Sequence, residues 1–297
     1  MKRTTHTTTN IKNVSAILTA DWHLREDQPI CRTDNFWDAQ WKKVEYIQKL
    51  QVQHQCPVIH AGDLFEMWKP SPLLLSNTIK HIPKQFSMVY GNHDVPQHNI
   101  DLSFKCGVDT LKAAGVLEIL EEAHWGQSPT KGTLFFPRSE LNMLVWHIMT
   151  WKGKEPWPGI TDSPAKRILS KFPEFDLIVT GHNHQSFTEE QDNRILVNPG
   201  SLTRYKADQE DHKPCVYLWD STTNTAWPHY LPIDKNVVSR EHIDRKDERD
   251  KRINAFVERL NEDWEADVSF EENLDRFEKE NNIRKSVMEI VRRAIES

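Results

Sequence analysis

Short apolar runs along this chain end, again and again, on residue types capable of ligating metal. The runs are Val14–Ala20, Pro57–Ala61, Phe86–Tyr90, Leu141–Trp146 and Asp176–Thr180. The residues at or just beyond their ends are Asp21-Trp22-His23, Gly62-Asp63, Gly91-Asn92-His93-Asp94, the lone His147, and Gly181-His182-Asn183-His184. Apolar runs of this length bounded by Gly or polar residues read as buried strands. Polar side chains at the carboxyl ends of successive strands mark the ligand-binding edge of an α/β sheet. The pattern predicts a sheet core that brings Asp, Asn and His to one place.

Between these islands the period changes. Trp37, Trp41, Val44, Ile47 and Leu50 fall at helical spacing within Phe36–Leu50, and Leu73–Ile82 reads as a shorter helix. From Thr133 onward strands crowd together. Thr133–Phe136 and Leu141–His147 are separated by the turn-like Pro137-Arg138-Ser139-Glu140. Phe187–Glu190 and Arg194–Val197 flank Asp192-Asn193, a good hairpin turn, and Cys215–Trp219 and Ala226–Leu231 flank a Ser/Thr/Asn loop. The expectation is an α/β chain with a two-layered sheet core and helices outside it, residues 1–237. From Val238 to Ser297 there is no Gly, Pro or Cys, and charges of both signs are dense. Ile253, Phe256, Val257 and Leu260 form one helical stripe and Val287, Ile290, Val291 and Ile295 another, so a helical pair is expected there. Its charges read as a solvated face.

The net charge of −6 argues against a chain that coats nucleic acid through its overall field. Cys31, Cys56, Cys106 and Cys215 lie far apart with no C-x-x-C pair, which suggests reduced thiols and a cytoplasmic setting. Met1–Asn13 is Thr-rich and lacks the apolar stretch of a signal peptide, and no run reaches membrane-spanning length.

Carboxylate, imidazole and amide oxygen together suit divalent manganese, iron or zinc. Asp21, His23, Asp63, Asn92, His147, His182 and His184 are too many donors for one ion. Two ions need a shared ligand, and Asp63 is the natural bridge because a carboxylate can bind both. Such a pair can hold a hydroxide and clamp phosphoryl oxygens during in-line attack. His93 beside Asn92 is then the working histidine, with Asp94 expected to orient its ring. A lone strand histidine such as His147 is usually a core residue. The ordered set carries the reading.

That order, D-x-H, G-D, G-N-H-D, H, G-H-x-H, resembles the calcineurin-like metallophosphoesterases over about Val14 to Ile233. The resemblance implies a two-sheet sandwich flanked by helices. It gives one metal to Asp21, His23, Asp63 and His184, and the other to Asp63, Asn92, His147 and His182. It makes His93 catalytic and Asp94 its partner. The metals it implies are two divalent ions, Mn2+ foremost, with Fe2+, Zn2+ or Mg2+ as alternatives. Ala61-Gly62-Asp63-Leu64-Phe65-Glu66, Lys69-Pro70-Ser71, Gly91-Asn92-His93-Asp94-Val95-Pro96 and Asn198-Pro199-Gly200-Ser201 look most like the SbcD-type DNA nucleases. The Ser/Thr phosphatases instead carry an Arg after Gly-Asp and end the third block in Glu. What this implies is phosphodiester hydrolysis of DNA, exo- or endonucleolytic, with the helical tail docking an SbcC-type ATPase or a second copy of the chain. The DNA-capping domain of those nucleases has no counterpart here, because only a handful of residues separate Ile233 from the tail. A phosphodiesterase or phosphatase for small nucleotides or phosphoproteins fits the same core. So does a non-catalytic subunit of an ATPase complex with a structural metal site, although the intact ligand set speaks against that.

Several residues are set aside. His60 reads as a core residue; His98 and Asn99 as a solvated loop; Arg25 and Arg32 as exposed arginines with some reach toward a phosphate. Of the eleven tryptophans, Trp37 and Trp41 fit a buried helix face, while Trp22, Trp151 and Trp157 are candidates to line the cleft.

Overall fold

A computed structural model of the chain describes residues 13–121, 123–129, 134–135, 141–262 and 270–295. They divide into two compact units, residues 1–239 and 240–297.

In the first unit, β1 (Ala16–Thr19), β2 (Val58–His60), β3 (Phe86–Met88) and β4 (Glu118–Ile119) run parallel in that order, with Ile17 opposite Val58 and Val58 opposite Phe86. A second sheet holds β5 (Leu134–Phe135), β6 (Asn142–His147), β7 (Leu177–Gly181), β8 (Phe187–Gln191) and β9 (Arg194–Asn198), in the order β5-β6-β7-β9-β8. The first sheet is completed on its other side by β10 (Cys215–Asp220), antiparallel to β1, and β11 (Thr225–Tyr230). The alternation of strand side chains builds the layers. Leu18, Ile59, Val145, Val179, Val197 and Tyr217 fill the space between the sheets. Their neighbours Ile17, Val58 and Phe86 face the opposite way, onto helices α1 (Phe36–His54), α2 (Pro72–His81) and α3 (Gly107–Ala113). Leu144, Trp146, Ile178 and Leu196 likewise meet α4 (Ala165–Lys171). Covered on both faces, these strands are apolar at nearly every position, which is why they read as continuous runs.

Local chemistry sets the boundaries. Asn35 accepts from the Asp38 amide at 3.1 Å to start α1, and Gln55 ends it in the left-handed region at φ 51°. Ser71 accepts from the Leu74 amide at 3.1 Å, with Pro72 at the first helical position of α2. Asp192 and Asn193, at φ 51° and 60°, make the β8–β9 hairpin. Within Thr133–Phe136 the described strand is Leu134–Phe135; the turn at Pro137–Glu140 lies outside the described residues. Residues 237–239 pair with 31–33: the Thr33 amide donates to Val237 and the Ser239 amide to Cys31, at 3.1 and 2.7 Å.

Among the described residues the second unit contains three helices rather than a pair: α5 (Glu241–Glu262), α6 (Phe270–Asn281) and α7 (Lys285–Ile295). Leu274, Phe277 and Met288 are buried together, with Phe256, Ile283 and Val291 packed against them. α6 hides in the sequence because Leu274 and Phe277 are its only interior apolar residues among charges. Val287 and Ile290, read from spacing as an inner stripe, remain exposed by 40% and 62%. No helix among the described residues is long and apolar enough to cross a membrane.

Candidate metal centre

The loops that follow β1 and β2 run side by side. Amides of Asp21, His23 and Leu24 donate to the carbonyls of Gly62, Asp63 and Leu64 at 3.0, 3.1 and 2.9 Å. Within them Asp21 (φ 50°), His23 (φ 47°) and Asp63 (φ 58°) are left-handed, and so is His182 (φ 79°) after β7. A non-glycine residue there costs about 1–3 kcal/mol, and such strain gathers at functional sites. Gly91 lets its backbone pass against Asp63, since a Cβ on it would collide with the Asp63 carboxylate and amide.

All seven expected donors come together. Oxygen or ring-nitrogen atoms of Asp21, His23 and His184 lie within 4.8 Å of one another, and so do those of Asp63, His147 and His182. Asp63 stands between the groups, its Oδ2 being 3.6 Å from His23 Nε2 and 3.3 Å from His147 Nε2. Asn92 Oδ1 is 3.1 Å from His147 Nε2 and 2.9 Å from His182 Nδ1. His23 Nε2 and His184 Nε2 are 3.2 Å apart. The Asp21 carboxylate accepts from the His182 amide at 2.9 Å, tying the loop after β1 to the loop after β7. The two sheets also meet at His147, whose Nδ1–H donates to the Ala61 carbonyl at 2.7 Å.

This last bond tests whether the donors fit a metal. With its proton on Nδ1, His147 turns Nε2 toward two further acceptors, Asp63 Oδ2 and Asn92 Oδ1. A positive charge among them, either a second ring proton or a bound cation, satisfies all three. Electrostatics agrees. Burial works against a charged His147, yet Asp63 and Asp21 raise it to about 9. Burial also works against the Asp63 carboxylate, but His147, His23 and His93 hold it well below the ordinary carboxylate range. Asp21 is pushed up to about 6 by burial, aided by the Asp63 charge. Burial drives His182 down to about 4 and His184 to about 2, so both offer neutral lone pairs. Two carboxylates, four imidazoles and an amide oxygen fit two divalent cations of the intermediate kind.

His93 lies beside these groups, its ring centroid 4.7 Å from that of His23. Asp94 does not orient it, contrary to the expectation from the sequence. The turn from Gly91 to Asp94 folds the carboxylate back onto backbone, where it accepts from the amides of Asp63, Leu64 and Gly91 at 2.8, 3.0 and 2.9 Å and from Phe65 at 3.3 Å. The His93 ring is held instead by the carbonyl of Glu66, 2.7 Å from Nδ1. Burial and the nearby Asp63 charge push the Asp94 carboxyl up to about 7.

Three residues at the site had not been singled out. The Glu66 carboxylate lies 2.9 Å from His23 Nδ1. The Tyr205 hydroxyl is 3.1 Å from His184 Nδ1, and Trp125 stacks on His182 at 4.7 Å. Position offers a signal for two of them: Glu66 sits three residues after Asp63, and Tyr205 follows Asn-Pro-Gly-Ser closely. Trp125 has none.

The other residues sort themselves. Trp22 is fully buried in the helix-side core with its indole N–H on Thr19, and lines no cleft. Trp151 is buried and Trp157 half exposed. His60 packs edge-on to Trp22 within that core, and burial lowers it to about 3. Arg32 pairs with Asp34 and donates to the Arg204 carbonyl, whereas Arg25 bonds Asp27 and reaches Glu66 at 3.2 Å. His98 is exposed, its Nδ1–H donating to the Asn92 carbonyl at 2.8 Å, and Asn99 accepts from the Asp101 amide. All four cysteines are free and buried.

A model of the calcineurin-like phosphoesterase superfamily domain matches residues 16–223. Among solved structures, an archaeal phosphodiesterase is 14% identical, with 73% of this chain and 99% of that one covered and a TM-score of 0.42. Vacuolar protein sorting 29 from Cryptosporidium parvum is 16% identical, covering 74% and 97%, with a TM-score of 0.36. A metallophosphoesterase from Sphaerobacter thermophilus is 14% identical, covering 74% and 89%, with a TM-score of 0.37. At this level of likeness none of them carries a substrate over to this chain.

Proposed function

Because this chain belongs to the calcineurin-like phosphoesterase superfamily, we propose that it is a two-cation phosphodiesterase whose substrate is DNA. The observation that carries the reaction is the Asp63 carboxylate standing between an imidazole of each sheet, 3.6 Å from His23 and 3.3 Å from His147. Asp21, His23, Asp63 and His184 would hold one cation, and Asp63, Asn92, His147 and His182 the other. Two bound divalent ions supply Lewis acidity toward phosphoryl oxygens and make water a nucleophile near neutral pH.

The chain's own groups do the rest. His93 keeps its Nδ1 proton on the Glu66 carbonyl, so Nε2 is the nitrogen free to exchange a proton with the departing oxygen. Asp94 braces the Gly62–Phe65 loop through the amides of Asp63, Leu64 and Phe65, with Gly91 as a fourth donor, and so fixes the bridging carboxylate. The strained backbone at Asp21, His23, Asp63 and His182 holds the donors in place before a cation arrives. The choice of DNA rests on the blocks around Leu64-Phe65-Glu66, Lys69-Pro70-Ser71 and Val95-Pro96, which resemble SbcD-type nucleases. The same resemblance supports a docking role for the tail, residues 238–297, toward an SbcC-type ATPase or a second copy, and the exposed Val287 and Ile290 suit that use.

A panel with Mn2+ tests the reading: single- and double-stranded DNA, RNA, cyclic nucleotides and a phosphomonoester. Metal-dependent cleavage of DNA is expected, abolished in Asp63→Ala. Hydrolysis confined to the small molecules would overturn the choice of DNA. No hydrolysis of any phosphoester would overturn the phosphodiesterase.

A further inference from the structure

Behind the first donor group lies a further carboxylate, Glu66, with an oxygen within 4.8 Å of ring nitrogens of His23 and His93. Glu66 Oε2 approaches His23 Nδ1 to 2.9 Å. Both atoms are buried, and neither makes a hydrogen bond of good geometry among the described residues, so each has only the other within reach. The other oxygen, Oε1, meets Arg25 at 3.2 Å. Arg25 is itself fixed: its backbone N–H donates to Gln40 Oε1 at 3.1 Å, its carbonyl accepts from Gln40 Nε2 at 2.7 Å, and its guanidinium bonds Asp27. Gln40 is fully buried. The backbone carbonyl of Glu66 meanwhile holds His93. A single residue therefore serves two histidines, His23 by its side chain and His93 by its main chain.

The geometry points to Glu66 as a positioning residue that fixes the tautomer and orientation of His23 for the first cation, with Arg25 steadying its second oxygen; this rests on the metal-centre reading above. A carboxylate accepting Nδ1–H leaves the lone pair on Nε2, which lies 3.2 Å from His184 Nε2 and 3.6 Å from Asp63 Oδ2, inside the donor group. Carboxylates behind ligating histidines raise their basicity, and losing one costs about 10- to 100-fold in metal affinity or activity. The division of labour within Glu66 sharpens the expectation. A side-chain substitution removes the support of His23 but leaves the carbonyl that supports His93.

Calorimetric titration of the full-length chain with Mn2+, alongside thermal melts of the metal-free protein, tests this. The wild type is expected to bind two ions. Glu66→Ala should bind one of them about 10- to 100-fold more weakly and the other unchanged. Glu66→Gln, which retains an acceptor oxygen, should recover much of the lost affinity. Should Glu66→Ala fail to fold, Arg25→Ala takes its place, with a smaller loss expected at the same single site. Wild-type affinity at both sites in the folded variant would overturn the assignment. A third ion in the wild type, lost in Glu66→Ala, would make Glu66 a ligand and overturn it too. A wild type that binds no ion pair would instead bring down the metal-centre reading itself.

Discussion

Replacing Asp94 separates bracing from chemistry. Its carboxylate is buried and accepts three amides at 2.8–3.0 Å, with a fourth at 3.3 Å sharing an oxygen. Leaving a buried N–H without a partner costs about 1–3 kcal/mol, so Asp94→Ala strands three good donors at a gross cost of about 3–9 kcal/mol. Part of this is recovered, because the carboxylate is itself penalised by burial and by the Asp63 charge. The net loss expected is about 3–5 kcal/mol, the size found when one partner of a buried charged network is removed. For a unit of this size, 1 kcal/mol moves Tm by roughly 2–4 °C. Asp94→Ala should therefore melt on the order of 10 °C below wild type. Asp94→Asn, keeping one accepting oxygen but turning an NH2 toward amide donors, should fall between. Metal-free melts followed by circular dichroism make the measurement, with His93→Ala as the control that leaves these bonds intact. An Asp94→Ala variant that melts within about a degree of wild type yet has lost its turnover would refute the bracing role and return Asp94 to the chemistry.

Other expectations are more direct. His93→Ala should retain both metals by elemental analysis and lose about 100- to 10,000-fold in turnover, while Asp63→Ala loses metal as well; joint loss of metal in both would refute the division of roles. Burial raises all four thiols, Cys56 to about 11 and Cys106 to about 12. Iodoacetamide at pH 8 should label none of them until denaturant is added, and rapid native labelling seen by mass spectrometry would contradict the buried placement. A chain ending at Ser239 keeps the 31–33 pairing with 237–239. It should stay folded and cleave a small phosphodiester; insolubility or loss of cleavage would show that the helical segment is needed by the sheet unit.

The convergence of the expected donors was legible because each sits at or just beyond the end of an apolar strand, where a buried Asp or His has few structural uses. The layers were legible for a related reason: strands covered on both faces leave continuous runs such as Ile17-Leu18 and Ile178-Val179. What escaped depends on backbone geometry and long-range contact. Trp22 stands between two donors yet is sealed in the core, because left-handed residues at 21 and 23 interrupt the regular alternation. Asp94 follows His93 in sequence, but the Gly91 turn carries its carboxylate to the neighbouring loop. Glu66 meets His23, Tyr205 meets His184 and Trp125 meets His182 across separations of many residues. No apolar period reports such contacts; Glu66 and Tyr205 are marked only by standing near Asp63 and Asn198-Pro199-Gly200-Ser201, and Trp125 by nothing. α6 carries too few apolar residues to show a period.

The central claim is that Asp21, His23, Asp63, Asn92, His147, His182 and His184 hold two cations bridged by one carboxylate. Anomalous diffraction from crystals grown with Mn2+ measures this directly. Two peaks are expected roughly 3.5–4 Å apart, both within coordination distance of Asp63, one beside His23 and His184 and the other beside Asn92, His147 and His182. A single peak, or a pair that does not share Asp63, would contradict the account.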